Sequence, residues 1–342
     1  MSIIKEIYNS SFYDNKNILI TGGTGTLGNI LTDFFLNLPN INKLCIYSRD
    51  EFKQHNMKIK YKNHKNYEKL RFFIGDIRDF ERTKYASKEI DIVFHAAALK
   101  QVDAIEFNPM EAIKTNILGT QNVIMACIEN NVDQLIGIST DKCVAPVNLY
   151  GATKLCLEKL VITAYEYSAF RLKTCVLRYG NVVGSRGSVV PIFKKQNEKG
   201  EFTVTDKRMT RFTLTIEEAS NFILNCVSIS KGGEIFVPKL PKYTLLQLCK
   251  VINPNNEIKE IGIRPGEKLH EEMISEAESL NVWESEFFYI VESTNHKKFR
   301  VDKELIDKFN MTKIQEIFGY SSENAELISD EGLKEQIKCL KK

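Results

Sequence analysis

A doubly wound, mostly parallel α/β sheet with a smaller C-terminal lobe is the fold this sequence predicts. Three observations carry that expectation. A short apolar strand, Asn17–Thr21, runs directly into a glycine turn and then a helical pattern. Short apolar runs alternate with amphipathic stretches from there to residue 177, as repeated β-α units in one parallel sheet require. In the stretch 139–154, four polar residues follow one apolar run, and a Tyr and a Lys stand four apart where the next helical pattern begins.

Residues 1–15 read as a lead-in. After the first strand comes Gly22-Gly23-Thr24-Gly25-Thr26-Leu27-Gly28, and from Asn29 a helical pattern continues through Leu38. Strand, glycine turn and helix together form the dinucleotide fingerprint of a Rossmann-type sheet. Gly22 permits the tight turn, Gly25 lets backbone approach a pyrophosphate at the helix N-terminus, and Gly28 allows helix and strand to pack closely. The candidate cofactor residues here are Gly22, Thr24, Gly25, Thr26, Leu27, Gly28 and Asn29. A second strand, 43–47, ends in Ser48-Arg49-Asp50. An acidic residue at this point suits a free ribose 2′-hydroxyl and an Arg suits a 2′-phosphate. Ser48 and Arg49 come first, which leans to NADP, while Asp50 keeps NAD open. Glu51, Phe52 and Lys53 complete that set, and residues 52–69 are a polar, lysine-rich surface helix and loop.

The third strand, Leu70–Ile74, ends in Gly75-Asp76-Ile77-Arg78-Asp79. Asp76, beside Ile77, suits an adenine amino group and equally suits a helix cap. The fourth strand, 91–95, leads into Ala96-Ala97-Ala98-Leu99-Lys100, small residues that let backbone lie against a ribose or nicotinamide. His95 reads as a satisfied core histidine. A helical run over 112–131 carries Thr115 and Asn116 past that loop. The fifth strand, 135–138, delivers Ser139, Thr140, Asp141 and Lys142 to its carboxyl end, where ligands bind in such sheets. Tyr150 and Lys154 then share one helix face. An ammonium beside a phenol favours the phenolate, so the Tyr is a candidate base for taking a proton from an alcohol.

A sixth strand, 174–177, runs into Arg178-Tyr179-Gly180-Asn181-Val182-Val183-Gly184 and then Ser185-Arg186-Gly187-Ser188-Val189. This polar, glycine-rich loop is expected to close the substrate site. Met209-Thr210-Arg211-Phe212 and Arg264-Pro265-Gly266-Glu267-Lys268 read as exposed basic segments, and separated Arg residues facing one crevice suit a diphosphate.

The chain's 342 residues suffice for a large core in one compound domain or two lobes. Its 43% hydrophobic and 27% charged content is ordinary for a soluble globular protein. A net charge of +3 is too small to argue for nucleic acid or an anionic membrane. None of the eight cysteines forms a CxxC pair and most lie in apolar runs, so reduced, buried thiols of a cytoplasmic protein are expected. Cys143, beside Lys142, reads as a small filler. Five scattered histidines suggest no metal site. No stretch approaches a transmembrane span, and the start of the chain lacks a signal-peptide core.

Together these segments resemble the extended short-chain dehydrogenase/reductase superfamily and, within it, the nucleotide-sugar 4,6-dehydratases. The likeness is strongest to the inverting UDP-N-acetylglucosamine 4,6-dehydratases that open pseudaminic acid synthesis for flagellin and surface glycosylation. It runs from about residue 17 to residue 275 and is carried by TGGTGTLG, YSRDEFKQ, GDIRD, HAAALKQV, KTNILGTQN, STDKCVAPVNLYGATK, RYGNVVGSRGSVVP, RMTRF, GGEIFVPK and GIRPGEKLHEEMI. Glucose-nucleotide 4,6-dehydratases carry an Asp-Glu pair where this chain has Asp141-Lys142. Related membrane-bound dehydratases carry transmembrane helices and a Met in place of the tyrosine. Cys143 and Val144 stand where small alanines are common in the family.

The resemblance implies an NADP-binding Rossmann domain over residues 1–180, to which later segments return, and a lobe for the nucleotide sugar mainly over 181–342. It implies that Tyr150, its pKa lowered by Lys154 and by the oxidised nicotinamide, takes the proton of the sugar 4-hydroxyl while Thr140 holds that hydroxyl. Lys142, kept neutral by neighbouring positive charge, is the implied base at carbon 5. Asp141, protonated, is the implied acid that releases the 6-hydroxyl as water. Hydride returns to carbon 6, and reprotonation of carbon 5 on the opposite face gives UDP-2-acetamido-2,6-dideoxy-β-L-arabino-hexos-4-ulose. The family's substrate contacts fall on Lys100, Lys142, Asn181, Arg186, Val189, Thr205, Arg211, Arg264 and Glu267, and its cofactor contacts extend to Val182. A homo-oligomer, dimer or hexamer, is implied, with dimers formed through the helix that carries Tyr150. The residues leave other readings open: a retaining or GDP-sugar dehydratase, a 4-epimerase, which has no use for the Asp141-Lys142 pair, and a non-catalytic NADP-binding sensor or scaffold.

Overall fold

Unbroken apolar runs form strands here because both faces of a parallel sheet are covered by helices. The computed structural model describes residues 10–184, 189–292 and 300–338. The six predicted strands are β1 (Asn17–Thr21), β2 (Lys43–Ser48), β3 (Leu70–Ile74), β4 (Ile92–His95), β5 (Gln134–Ile138) and β6 (Lys173–Leu177). They are mutually parallel in the order β3-β2-β1-β4-β5-β6. The order turns back between β1 and β4, and a crevice opens there at the carboxyl ends of the strands. Gly22 makes the turn that borders it. Its φ is +65°, and a Cβ on it would lie 2.8 Å from the Ala97 backbone.

The later chain alternates between the sheet and a second lobe. β7 (Glu201–Val204) and β8 (Thr210–Phe212) lie in the lobe, whereas β9 (Glu234–Pro238) joins the sheet parallel to β6. β10 (Lys242–Thr244) pairs with β8, and β11 (Glu257–Glu260) pairs with β7. After β12 (Glu272–Ile274), the strands β13 (Val282–Glu284), β14 (Phe288–Val291) and β15 (Thr312–Lys313) extend the sheet's far edge antiparallel, giving ten strands. β16 (Tyr320–Ser321) pairs back onto β12. The main core gathers Leu19, Phe35, Phe94, Leu135, Leu177 and Phe288, and a separate core of Val190, Phe193, Phe202, Met209, Leu248 and Leu333 holds the lobe.

Two local expectations need correction. The helical run at 112–131 is not one α-helix. It is a short helix Pro109–Ala112, a π turn Ile113–Leu118 and a helix Gly119–Glu129. Apolar periodicity does not register one extra residue in a turn, and such turns persist where outside partners hold them. The segment 209–212 is also not exposed. Pairing with β10 buries Met209, Thr210, Arg211 and Phe212, and backbone carbonyls take up the guanidinium of Arg211.

Candidate active site

The crevice is a cleft of about 860 Å³ running from the glycine turn to residues 264–271. Every candidate of that turn lines it except Asn29, whose amide donates to the Thr24 and Gly25 carbonyls at 3.1 and 2.9 Å and braces the loop. Ala96, Ala97, Ala98, Lys100, Thr115 and Ile77 also line it. Asn116 stands behind this wall. It receives the Leu99 N–H at 2.8 Å, donates to the Leu99 carbonyl at 2.9 Å and donates to Thr153 Oγ1 at 3.0 Å, which fixes the alanine loop.

At the end of β2, Ser48, Arg49, Asp50 and Lys53 reach the cleft, whereas Glu51 and Phe52 are exposed beyond it. Asp50 caps the helix Glu51–Tyr61, accepting the Lys53 N–H at 2.9 Å, and its carboxylate pairs with the Lys53 ammonium at 2.5 Å. Asp76 is engaged by the guanidinium of Arg78 at 2.7 Å and lies 3.5 Å from Arg49. Asp79, not Asp76, caps the following helix. His95 is buried between Thr21 and Thr120, at 2.8 and 3.0 Å, and burial holds its imidazole down to about 3, so it is neutral.

The acid–base corner forms where β5 ends. Thr140 donates to Asp141 Oδ1 at 2.8 Å, and Lys142 Nζ lies 3.1 Å from the same oxygen and 3.3 Å from Asn181 Oδ1. Asp141 lies beneath Lys142, 1% exposed, and its Oδ2 has no hydrogen-bond partner among the described residues. Asn148 caps the helix Leu149–Tyr167 and so aims Tyr150 and Lys154 at the cleft. Gly151 lets that helix meet the carbonyl of Lys142, since a Cβ would collide with it.

A residue that the sequence did not single out completes the corner. Glu271 is buried, with Oε1 3.1 Å from Lys142 Nζ and 3.6 Å from Arg211 Nε. Nothing in the run HEEMI separates Glu271 from Glu272, which faces Lys268 at 3.5 Å instead. Glu271 reverses one expectation. Burial opposes a charge on Lys142, but the Asp141 and Glu271 carboxylates outweigh both burial and the opposing Arg211, so the ammonium is held above its usual range. Burial, with Glu271 adding to it and Lys142 opposing, raises the Asp141 carboxyl, so this carboxylate against the Lys142 ammonium takes up a proton more readily than an exposed one. Tyr150 is likewise not lowered in the protein alone. Burial pushes its phenol up to about 12, with Lys142, rather than Lys154, opposing. Burial brings the Lys154 ammonium down to about 8.

Of the remaining substrate candidates, Val189, Thr205, Arg211, Arg264 and Glu267 line the cleft with Asn181 and Val182. Arg186 lies outside the described residues. Behind the corner, the buried guanidinium of Arg178 pairs with Glu158 at 2.6 Å and Glu278 at 3.0 Å. The Cys143 thiol donates to Glu158 at 3.0 Å and is raised by burial, so it is a packed side chain rather than a nucleophile.

Residues 18–293 match the family described as polysaccharide biosynthesis protein. The chain belongs to that family, within the extended short-chain dehydrogenase/reductase superfamily. A Campylobacter jejuni relative named UDP-N-acetylglucosamine 4,6-dehydratase (inverting) is 47% identical over 327 residues, 93% of this chain and 96% of the relative. A Rickettsia rickettsii relative named UDP-glucose 4-epimerase is 39% identical over 339 residues, 95% of this chain and 96% of its own. Among solved structures, Pen from Bacillus thuringiensis superposes with a TM-score of 0.85 at 36% identity, over 96% of this chain and 99% of that one. No helix among the described residues is long and apolar enough to cross a membrane.

Proposed function

We propose that this protein is an NADP-dependent UDP-N-acetylglucosamine 4,6-dehydratase that also inverts carbon 5, acting in the cytoplasm in the first step of pseudaminic acid synthesis. The observation that carries the reading is the 3.1 Å contact of Lys142, which lines the cleft beside Thr140 and Tyr150, with Asp141 buried beneath it. A dehydration needs an acid and a base on one sugar, and this corner holds both. The Campylobacter relative, similar over nearly its whole length, supports the same reaction.

The cleft fits the cofactor. Its glycine turn leaves backbone open to a pyrophosphate, and its alanine loop is pinned by Asn116. Asp50 is spent as a helix cap, leaving Arg49 to meet a ribose 2′-phosphate, which supports NADP over NAD. NADP held there supplies a hydride acceptor and donor.

The chain's own groups move the protons. Tyr150 takes the proton of the sugar 4-hydroxyl, which Thr140 holds. A ketone at carbon 4 acidifies the hydrogen at carbon 5, and Lys142 removes it. Asp141 gives its proton to the departing 6-hydroxyl, which leaves as water. In the free protein Lys142 is an ammonium, so the working form arises by one proton shift, from Nζ to Asp141 Oδ1 across their 3.1 Å contact. Arg264, which lines the cleft, suits a phosphate of the nucleotide, and Arg211, its guanidinium already taken up by carbonyls and Glu271, adds positive charge nearby.

The Rickettsia relatives favour a second reading, a 4-epimerase, which would leave Asp141 and Lys142 without a task. Proton NMR of the protein with UDP-N-acetylglucosamine in deuterated water separates the two. A 6-deoxy methyl signal with deuterium at carbon 5 and L-arabino couplings is expected. A C4 epimer without a methyl signal overturns the dehydratase, and a methyl signal with D-xylo couplings overturns the inversion.

A further inference from the structure

Glu271 occupies a site that no capping or packing duty explains. Its backbone is fixed on both sides by Ser322, whose N–H donates to the Glu271 carbonyl at 2.7 Å and whose Oγ accepts the Glu271 N–H at 2.9 Å. The side chain is 5% exposed, and among the described residues only Oε1 of its two oxygens is engaged, by Lys142 and Arg211, while Oε2 has no hydrogen-bond partner there. A buried carboxylate is expensive to desolvate unless its charge is matched, and here the match is the ammonium that also touches Asp141.

We propose that Glu271 is a positioning residue, whose carboxylate holds Lys142 Nζ against Asp141 and governs how tightly that pair keeps its shared proton. The inference rests on the dehydratase reading, because only acid–base use of the pair gives the grip a kinetic consequence. In the proton shift that readies the pair, an N–H bond of Lys142 breaks and an O–H bond on Asp141 Oδ1 forms. The pair's total charge is unchanged and no further reactant is needed.

The sign of the effect follows from charge. The working pair carries one proton to share. A second proton, gained at low pH, removes the base, and loss of the only one at high pH removes the acid. A carboxylate 3.1 Å from Lys142 favours the protonated form at both stages, so Glu271 moves both limbs of the pH profile upward. The other groups facing the pair are Thr140 and Tyr150 beside it, Asn181 from the loop after β6, Arg211 on β8, Tyr243 on β10 and Lys268 before β12. All of them remain in a Glu271→Gln protein, which changes the charge and little else.

The test is the pH dependence of kcat for the NADP-loaded protein with UDP-N-acetylglucosamine. In Glu271→Gln both limbs are expected to move to lower pH by about one unit, with KM changed less than about threefold. Unmoved limbs with a lower plateau mean a merely structural role and overturn the proposal. Glu271→Asp keeps the charge, so its limbs should stay near wild type while kcat falls, and shifted limbs there also overturn it. A second readout needs no turnover. The carboxyl carbon of Asp141, assigned by its loss in Asp141→Asn, is titrated by carbon-13 NMR and should show a lower midpoint in Glu271→Gln. An unchanged midpoint overturns the proposal. If the wild-type protein makes no product, the dehydratase reading has failed, and this titration still decides whether Glu271 grips the pair.

Discussion

The two walls of the cleft are built by different means. The wall around the glycine turn is mostly backbone from contiguous stretches of chain, braced by side chains turned inward such as Asn29 and Asn116. The acid–base corner is mostly side-chain charge. Asp141, Lys142, Asn181, Arg211 and Glu271 come from four segments spread over 130 positions, and the charge states of Asp141, Lys142 and Glu271 depend on one another. A backbone wall tolerates a single substitution nearby. A charge cluster does not, because removing one member leaves the rest buried and unmatched.

Substitutions sharpen that contrast. Lys142→Ala should lower turnover of UDP-N-acetylglucosamine by about 10²–10⁴-fold, while NADP affinity by fluorescence titration stays within about threefold. Loss of NADP binding would mean that the walls are not independent. Arg178→Met removes the cation between Glu158 and Glu278 behind the corner and should destabilise the protein by about 3–5 kcal/mol in urea unfolding. A much smaller loss would show that the cluster is not the support described.

On the opposite wall the expected effects are smaller near neutral pH. Burial lowers the His95 imidazole from 6.5 to about 3, so its contribution to stability is complete above 6.5 and is lost as pH falls from 6.5 to 3. Across that window it accounts for a slope of about 1.4 kcal/mol per pH unit, which His95→Gln should remove from the urea midpoint. Arg49→Ala should weaken NADP relative to NAD by about tenfold in calorimetry, near 1.4 kcal/mol, and less at high salt because Arg49 is half exposed.

The backbone wall was largely legible in the sequence. Gly22 to Gly28 announce a turn because few other residues adopt such a backbone, and most of the six strands were legible because doubly buried strands are largely apolar, β3 being the partly exposed edge. The misreadings are of another kind. Arg211 looked like a surface Arg because nothing in RMTRF reveals that β10 will cover it. That Tyr150 and Lys154 stand on one helix and both reach the cleft was legible from their spacing, but the balance between burial and charge at the phenol was not.

The sequence by itself determined the strand order's raw material, the glycine turn, and the adjacency of Thr140, Asp141, Lys142, Tyr150 and Lys154 on one strand end and one helix. These are local properties, set by propensity and by periods of two or four residues. Only the tertiary structure decided that Glu271, 129 positions beyond Lys142, would stand 3.1 Å from it and join Asp141 in keeping it charged. The physical reason is that the charge state of a buried group depends on burial and on distance to other charges. The fold sets both across segments far apart in the chain.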